Sequence, residues 1–415
     1  MVIFVLLNFE LKSIKYMHFT VPVKGKVHWI GVNDRRKRLF ENIWPLDRGV
    51  AYNSYLIVDD KTALVDTVED RAAGNYIERI ESLLQGRELD YLIINHMEPD
   101  HSGEAKDIVK RWPNVKIVGN LKTFKMVEGY WGFGKDMLHQ VEDGDTLDLG
   151  YHKLQFVMTP WVHWPETMMT YDVTEQILFS ADAFGSFGTL DGGIFDDEIN
   201  FEYFEEEMRR YFSNIVGKYC NMVQKAFAKL QGVPVKVVAP THGPVWRTNP
   251  EKVLGLYDKW SRYETEEGVL VVFASMYGNT EEMADYIARK LSEEGIRNIR
   301  VHDVSRTHIS HLINEVWKYK GVILGSCAYN SQMFPLMEQF TRELVHMGVK
   351  DHLLGLFGSY SWNGGGVKNL MKFAEEIQWE MVSDPSEIFG QPNVDKLAQC
   401  DKVAKGMADK LKALR

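Results

Sequence analysis

Apolar residues occur along the chain in short runs that alternate with segments of helical periodicity. Residues 27–31, 53–58 and 62–66 alternate apolar and polar positions, as strands with one buried face do. Apolar residues recur at helical spacing in several later segments: 72–85, 103–111, 201–230 and 250–263. The pattern predicts an α/β fold in which helices pack against a sheet.

A polar stretch at residues 263–268 (Y-E-T-E-E-G) is the predicted domain boundary. After it, an apolar run at 269–274 begins a regular strand–helix alternation, which indicates an open, doubly wound parallel sheet. We therefore expect a first domain at 17–263 and a second at 264–415, both of ordinary domain size.

The N-terminal residues do not have the features of a targeting or membrane segment. Residues 1–7 are apolar, but no basic residue precedes them, Glu10 follows closely, and the run is too short to span a bilayer. We expect residues 1–16 to be an N-terminal extension, either an extra strand or the product of an upstream start codon with Met17 as the true beginning.

Charge and cysteine content exclude several classes of function. The chain has 48 basic and 58 acidic residues and a net charge of −10, which disfavours nucleic acid or an anionic membrane surface as a partner. The cysteines Cys220, Cys327 and Cys400 are far apart and form no C-x-x-C pair. Thiolate zinc sites, iron–sulfur clusters and a disulfide framework are therefore not expected, and a reducing cytoplasm fits.

Metal-binding residue types follow four predicted strands, at the point where each strand ends. The strands at 91–95, 154–159, 177–180 and 235–239 are followed by seven candidate ligands: His96, Glu98, Asp100, His101, His163, Asp182 and His242. Open sheets place their sites at the carboxyl ends of strands, so we expect these side chains to meet. One ion cannot use seven protein ligands and keep an open position, whereas two ions that share a carboxylate can. Asp182 is the predicted bridge.

The motif H-x-E-x-D-H at residues 96–101, with its three distant partners, resembles the metallo-β-lactamase superfamily and its αβ/βα sandwich. Hydrolases of that superfamily usually have histidine where Glu98 stands. A carboxylate there favours iron or manganese over zinc, and this variant resembles the diiron site of flavodiiron proteins. The resemblance implies that one iron is held by His96, Glu98 and His163, the other by Asp100, His101 and His242, with Asp182 between them.

A second candidate site lies in the C-terminal domain. The turn at residues 275–280 (S-M-Y-G-N-T) joins the strand at 269–274 to a helix, and it offers backbone N–H groups and hydroxyls to a phosphate. It lacks the lysine of a nucleoside-triphosphate loop and the spacing of a dinucleotide loop, so FMN fits better. The turn closely resembles the flavodoxin phosphate loop.

Two later loops follow strands at 321–325 and 353–358, where flavodoxin-like sheets enclose the flavin ring. Together the three loops give the candidate FMN-binding residues: Ser275, Met276, Tyr277, Gly278, Asn279, Thr280, Ser326, Cys327, Ala328, Tyr329, Asn330, Ser359, Tyr360, Ser361, Trp362, Asn363, Gly364 and Gly365.

The resemblance to flavodiiron proteins implies an oxidoreductase that reduces O₂ to water, NO to N₂O, or both, with the diiron centre fed by FMN. It also implies a head-to-tail homodimer, or a dimer of such dimers. Three cysteines cannot build the four-cysteine iron site of a fused rubredoxin, so a separate electron donor is expected, by family analogy rubredoxin.

One departure from the family pattern concerns Phe40-Glu41-Asn42, where many relatives have F-H-G with the histidine close to the metals. Because Glu41 replaces that histidine, we assign no separate side-chain base and treat the diiron centre itself as the catalytic group.

Two other functions are compatible with parts of the sequence. The first is a zinc-dependent hydrolase of the metallo-β-lactamase type fused to a flavin electron-transfer module, which Glu98 disfavours. The second is a pure electron carrier with a structural metal in its first domain, which would reduce its flavin without rapid gas consumption.

Overall fold

The computed structural model describes residues 20–415, which divide into two compact units on either side of the bond between Asp258 and Lys259. The division falls inside the helix Pro250–Ser261, a few residues before the predicted boundary at 263, which stays a prediction. The expectation for residues 1–16 lies outside the described residues.

Two larger sheets form the framework of the first unit. One has seven strands in the order β1-β2-β7-β8-β9-β10-β11, and the other has five in the order β12-β13-β14-β15-β16. The strands of this unit are β1 (Val21–Lys24), β2 (Val27–Trp29), β3 (Val32–Asp34), β4 (Leu39–Phe40), β5 (Trp44–Pro45), β6 (Val50–Tyr52), β7 (Tyr55–Val58), β8 (Thr62–Val65), β9 (Tyr91–Ile93), β10 (Lys116–Gly119), β11 (Leu138–Gln140), β12 (Thr146–Asp148), β13 (Lys153–Met158), β14 (Met168–Asp172), β15 (Ile177–Phe179) and β16 (Val237–Ala239). Strands β3 and β6, and likewise β4 and β5, form two small ribbons.

The helices of the first unit follow the predicted periodicity with shorter ends. They are α1 (Tyr76–Leu84), α2 (Pro99–Ser102), α3 (Ala105–Arg111), α4 (Leu121–Tyr130), α5 (Glu202–Tyr211), α6 (Cys220–Leu230) and α7 (Pro250–Ser261). Helix α1 buries Tyr76, Ile80 and Leu84, which recur every four residues on one face. The long amphipathic region divides into α5 and α6, with a π-helical turn at Phe212–Val216 and a 3₁₀ turn at Gly217–Tyr219 between them.

The two sheets of the first unit share one apolar core. Residues of the seven-stranded sheet, such as Val65 and Ile93, belong to the same buried cluster as Phe156, Phe179 and Ala239 of the five-stranded sheet. This packing of sheet on sheet confirms the predicted αβ/βα sandwich.

The strands that precede the candidate ligands belong to two sheets and not to one open sheet. Strand β9 lies in the seven-stranded sheet, whereas β13, β15 and β16 lie in the five-stranded sheet. Both β13 and β15 pair antiparallel with β14, and β16 is parallel to β15, so these three strands run in the same direction. The candidate site is therefore assembled between the edges of two packed sheets.

The second unit is an open parallel sheet with helices along the chain between its strands, as predicted. Its order is β18-β17-β19-β20-β21, with β22 also paired to β20, and all these pairings are parallel. The strands are β17 (Glu266–Ala274), β18 (Ile299–Asp303), β19 (Tyr319–Cys327), β20 (Leu353–Tyr360), β21 (Glu380–Met381) and β22 (Ser386–Phe389). The helices are α8 (Asn279–Glu293), α9 (Ile309–Lys318), α10 (Pro335–Met347), α11 (Gly366–Ile377), α12 (Val394–Leu397) and α13 (Asp401–Ala413). Short 3₁₀ turns elsewhere in the chain lie at Asp70–Ala72, Lys135–Met137 and Ala398–Cys400.

Close packing in this sheet makes Gly325 a testable position. A Cβ atom at Gly325 would lie 2.1 Å from Cζ of the buried Phe357 on the neighbouring strand. Gly325→Ala should therefore lower the free energy of unfolding by about 1–3 kcal/mol through overpacking. Gly255→Ala is the control, because Gly255 is exposed in helix α7 and its Cβ would meet no atom within 4 Å. It should raise stability by up to about 1 kcal/mol. Equal urea midpoints for the two variants would contradict this account of β19.

Candidate metal centre and flavin cleft

The motif at residues 96–101 occupies a tight turn between strand β9 and helix α2. Glu98 is the residue before the helix, and Pro99 takes its first position, where proline is favoured. The Ser102 hydroxyl donates to the Met97 carbonyl oxygen at 2.8 Å and holds the turn. The candidate ligands at the start of the motif, His96 and Glu98, and those at its end, Asp100 and His101, thereby lie in one short, buried segment.

The seven predicted ligands come together as two adjoining groups. Within each group the ligand atoms lie within 4.8 Å of one another, and all seven side chains are buried. The first group is His96, Glu98, His163 and Asp182, and the second is Asp100, His101 and His242. In the first group, Glu98 Oε2 lies 3.1 Å from His163 Nε2 and 3.3 Å from His96 Nε2.

Asp182 faces both groups at once. Its Oδ2 atom lies 3.0 Å from His163 Nε2, in the first group, and its Oδ1 atom lies 2.8 Å from His101 Nε2, in the second. The hydroxyl of Thr241 donates to Oδ1 at 2.7 Å and fixes the orientation of the carboxylate. One oxygen is directed to each group, as a carboxylate bridge between two metal ions requires.

The second group contains buried polar atoms that the protein itself leaves unsatisfied. Both oxygens of Asp100, both nitrogens of His101 and Nε2 of His242 have no hydrogen-bond partner among residues 20–415. Asp100 Oδ2 lies 3.3 Å from His242 Nε2, and Asp182 Oδ1 lies 2.8 Å from His101 Nε2, yet neither pair is aligned for a hydrogen bond. Buried unsatisfied groups are costly, and a cation at the point where they converge would satisfy them. The donor set of imidazoles and carboxylates suits an iron pair.

The charges of the site hold its bridging carboxylate ionised. Burial acts against ionisation of Asp182, but His101 and His163 outweigh it and hold the pKa of that carboxyl well below its usual range. Burial likewise disfavours a charged His101, yet Asp100 and Asp182 raise the pKa of that imidazole to about 9. Metal ions that bind here would displace protons from these side chains.

Asn53 holds the loop that carries His242. Its Nδ2 atom donates to the carbonyl oxygens of Pro240 at 2.9 Å and Gly243 at 2.8 Å, and its Oδ1 accepts from Trp29 Nε1 at 2.8 Å. His242 Nδ1 lies 2.8 Å from the Ala51 carbonyl oxygen, so Nε2 is left for a metal. Sequence reasoning missed Asn53, because Pro240 and Gly243, which it holds in place, are almost two hundred residues away in the chain.

Asp66 supports the other end of the site and was also missed. Its Oδ1 accepts from the Asn95 backbone N–H at 2.8 Å, and its Oδ2 accepts from Asn95 Nδ2 at 3.0 Å. It thereby fixes the end of strand β9 directly before His96.

Glu41 and Tyr211 place two proton-bearing groups beside the ligands. Phe40, next to Glu41, packs 5.3 Å from the His242 ring, and Trp44 Nε1 donates to Glu41 Oε2 at 3.0 Å. Glu41 is exposed at the edge of the ligand groups. Partial loss of hydration at its carboxyl, and then the charge of Glu98, raise its pKa to about 7. The Tyr211 hydroxyl is buried without a hydrogen-bond partner among the described residues, and its ring lies 5.5 Å from that of His242.

The three predicted flavin loops form one cleft in the second unit. It is lined by Ser275, Met276, Tyr277, Asn279, Thr280, Cys327, Ala328, Ser359, Tyr360, Ser361, Trp362 and Asn363. Gly278, with φ of 96°, precedes helix α8 and provides no side-chain cap, so the first N–H groups of the helix are open to an anion. Tyr277 and Trp362 are 93% and 73% exposed, so their rings are accessible for stacking.

The remaining flavin candidates support the loops and do not line the cleft. Ser326 is buried and accepts from the Phe334 backbone N–H at 3.0 Å, and the Tyr329 ring packs against that of Phe334. A Cβ at Gly365 would lie 2.3 Å from the carbonyl of Ser331, so this glycine allows two loops to meet. Gly278, Asn330 and Gly364 also lie in these loops without lining the cleft. The hydroxyls of Thr280 and Ser359, 2.9 Å apart, join the first loop to the third.

The chain matches two family models, the ODP family beta lactamase over residues 50–243 and flavodoxin over residues 271–411. It is 32% identical over 386 residues to the anaerobic nitric oxide reductase flavorubredoxin of Escherichia coli O1:K1 / APEC, covering 92% of this chain and 80% of that protein. The chain belongs to the flavodiiron protein family.

Solved structures of the family share this architecture. Rubredoxin oxygen:oxidoreductase from Desulfovibrio gigas superposes with a TM-score of 0.90 at 27% identity, covering 95% of this chain and 99% of that one. A variant of the flavo di-iron protein from Thermotoga maritima gives a TM-score of 0.87 at 26% identity, covering 94% and 98% of the two chains. Among residues 20–415, no helix has the length and apolar character needed to cross a bilayer.

Asn53→Ala tests the support of the second ligand group. Loss of three buried hydrogen bonds should lower the free energy of unfolding by about 2–4 kcal/mol and loosen the loop that carries His242. We expect faster metal release to a chelator together with a lower urea midpoint. Asn33→Ala is the control. Asn33 Nδ2 donates to the Leu190 carbonyl oxygen at 3.2 Å, and its Oδ1 accepts from the Leu190 backbone N–H at 2.8 Å, so its hydrogen bonds do not involve the ligands. Wild-type metal release in Asn53→Ala would count against this role.

Proposed function

We propose that this chain is an oxidoreductase that reduces NO to N₂O, O₂ to water, or both, at a pair of irons supplied with electrons by FMN. The family to which the chain belongs supports this function, since its relatives are named nitric oxide reductase and rubredoxin oxygen:oxidoreductase. Those names do not support the alternative of a zinc hydrolase fused to a flavin module.

The observation that carries the proposal is the position of Asp182 between two complete ligand groups. His96, Glu98 and His163 surround one end of its carboxylate, and Asp100, His101 and His242 surround the other. Three terminal ligands would hold each metal ion and the carboxylate of Asp182 would be shared by both, an arrangement that would leave coordination positions for a small molecule.

When bound, two ferrous ions and a reduced flavin together store the four electrons that convert O₂ to two waters, and half of that store suffices for two NO. The protein's own residues then have three tasks. Asp182 holds the two metal positions together, and Thr241 fixes its orientation. The buried apolar rings around His242, those of Phe40 and Tyr211, exclude water from that side of the site.

Proton supply is the third task, and Glu41 is suited to it. Glu41 is at the rim with a pKa of about 7, so near neutral pH its carboxyl is both protonated and ionised in substantial fractions. Burial and the ligand carboxylates raise the pKa of Tyr211 well above its usual range, so its Oη atom keeps its proton and would act as a hydrogen-bond donor.

In the second unit, the cleft of the three loops would hold FMN. The uncapped start of α8 and the hydroxyl of Thr280 suit the phosphate, and Tyr277 and Trp362 suit the flavin ring. We infer that the electron donor is a separate protein, a rubredoxin, and that the active form is a head-to-tail homodimer or a dimer of such dimers. We also infer a cytoplasmic location, to which the scarcity and wide spacing of the cysteines is suited.

Asp182→Ala tests the metal centre. Removal of the shared carboxylate should abolish binding of both metal ions and bring NO and O₂ consumption to background, while FMN content is unchanged. Iron analysis, flavin absorbance and gas electrodes, all under anaerobic preparation, measure these quantities. Asp172→Ala is the control, since Asp172 is also fully buried and pairs with a histidine, His152 Nδ1 at 2.7 Å, outside the ligand set. Retained iron and full activity in Asp182→Ala would contradict the bridging role.

A mixed dimer tests the head-to-tail arrangement. Asp182→Ala subunits keep FMN and lack metal, whereas Thr280→Pro subunits should keep metal and lose FMN, because proline removes an N–H and a hydroxyl at the phosphate turn. Co-expression with two different tags isolates the mixed dimer. Head-to-tail transfer predicts gas consumption near half that of wild type, while both parent variants remain inactive. A mixed dimer as inactive as its parents would overturn this arrangement, and the result does not depend on the identity of the donor.

A further inference from the structure

The Nδ1 atoms of three candidate ligands, His96, His101 and His242, have different surroundings. His96 Nδ1 lies 2.8 Å from a carboxylate oxygen, Glu166 Oε1, whereas His242 Nδ1 lies 2.8 Å from a neutral carbonyl oxygen, that of Ala51. His101 Nδ1 is buried and has no hydrogen-bond partner among residues 20–415. The two metal positions therefore differ in the charge that surrounds them.

Glu166 is held rigidly in this position. Its side chain is buried, with 1% of the residue exposed, and Oε1 also accepts from the Met97 backbone N–H at 2.9 Å. Its own carbonyl oxygen accepts from Asn120 Nδ2 at 2.6 Å, so the loop after β13 is tied to the loop after β10. Movement of the carboxylate away from His96 would also break its hydrogen bond with the Met97 backbone N–H.

The contact with Glu166 also determines which ring nitrogen of His96 is available to a metal. If Nδ1–H donates to the carboxylate, the lone pair of Nε2 is free, and Nε2 lies 3.3 Å from Glu98 Oε2 and 3.4 Å from Asp182 Oδ2. A carboxylate behind a ligating imidazole fixes its orientation and makes it a stronger donor. The negative charge also favours the more highly charged state of a metal.

We propose that Glu166 is a positioning residue that makes the two metal positions unequal. It strengthens the position of His96, Glu98 and His163, so that the iron held there is released more slowly and is harder to reduce than its neighbour. The inference rests on the proposed iron pair and assigns the difference between the two irons to one side chain outside the ligand set.

The chain contains a matched pair for comparison. His152 Nδ1 and Asp172 Oδ2 lie 2.7 Å apart, both residues are fully buried, and neither belongs to the ligand groups. Asp172→Asn therefore removes the same kind of charge from the same kind of contact in the same unit. Any effect of a lost buried carboxylate on folding alone should be common to both variants.

The experiment uses the full chain loaded anaerobically with ferrous iron, as wild type, Glu166→Gln and Asp172→Asn. Iron release to a chelator is followed in time, and a redox titration is followed by electron paramagnetic resonance of the mixed-valence state. We expect two release phases in wild type. Glu166→Gln should accelerate the slow phase by about 10–100-fold and leave the fast phase unchanged. Its slowly released iron should also become easier to reduce, while Asp172→Asn changes neither quantity.

Three outcomes would overturn the inference. Wild-type release and potentials in Glu166→Gln would show that the carboxylate does not act on the metal. Equal acceleration of both phases, or the same changes in Asp172→Asn, would show a purely structural role. A wild-type chain that binds no iron pair would defeat the proposed function itself, an outcome distinct from these three.

Discussion

The buried carboxylate of Asp182 is the interaction on which the site depends. A carboxylate removed from water is stable only where positive charge or hydrogen bonds compensate it, and here histidines of both groups and the Thr241 hydroxyl surround it. Because one oxygen faces each group, any change at Asp182 would alter both ligand groups. The two sheets that carry the ligands must also keep their positions relative to each other, since β9 belongs to one sheet and β15 to the other.

In the second unit, the loops that follow β19 and β20 must approach each other closely. A Cβ at Gly358 would lie 2.4 Å from the Ser326 carbonyl oxygen, and one at Gly366 would lie 2.5 Å from the same atom. Absence of side chains at these positions lets the ends of β19 and β20 lie together beside the start of α11. The loops can then remain short and present hydroxyls, N–H groups and exposed aromatic rings to one cleft.

Residues that sequence reasoning found share one property, which is that their signal is local. The segment 96–101 places four candidate ligands within six residues after an apolar run, and the turn at 275–280 lies directly between a strand and a helix. Residues that it missed act over long distances in sequence. Asn53 bonds to Pro240, and Glu166 bonds to His96, seventy positions earlier. Neither has neighbours in the sequence that reveal its partner.

The sequence by itself determined the ligand types, the α/β character of both halves and the flavin loops, because apolar period and short motifs depend only on neighbouring residues. Only the tertiary structure decided that the ligand-bearing strands come from two packed sheets, that Asp182 turns one oxygen to each group, and that Glu166 stands behind His96 but no carboxylate stands behind His242. The physical reason is that strand pairing and the packing of the shared core set these distances, and both arise from contacts between residues far apart in the chain.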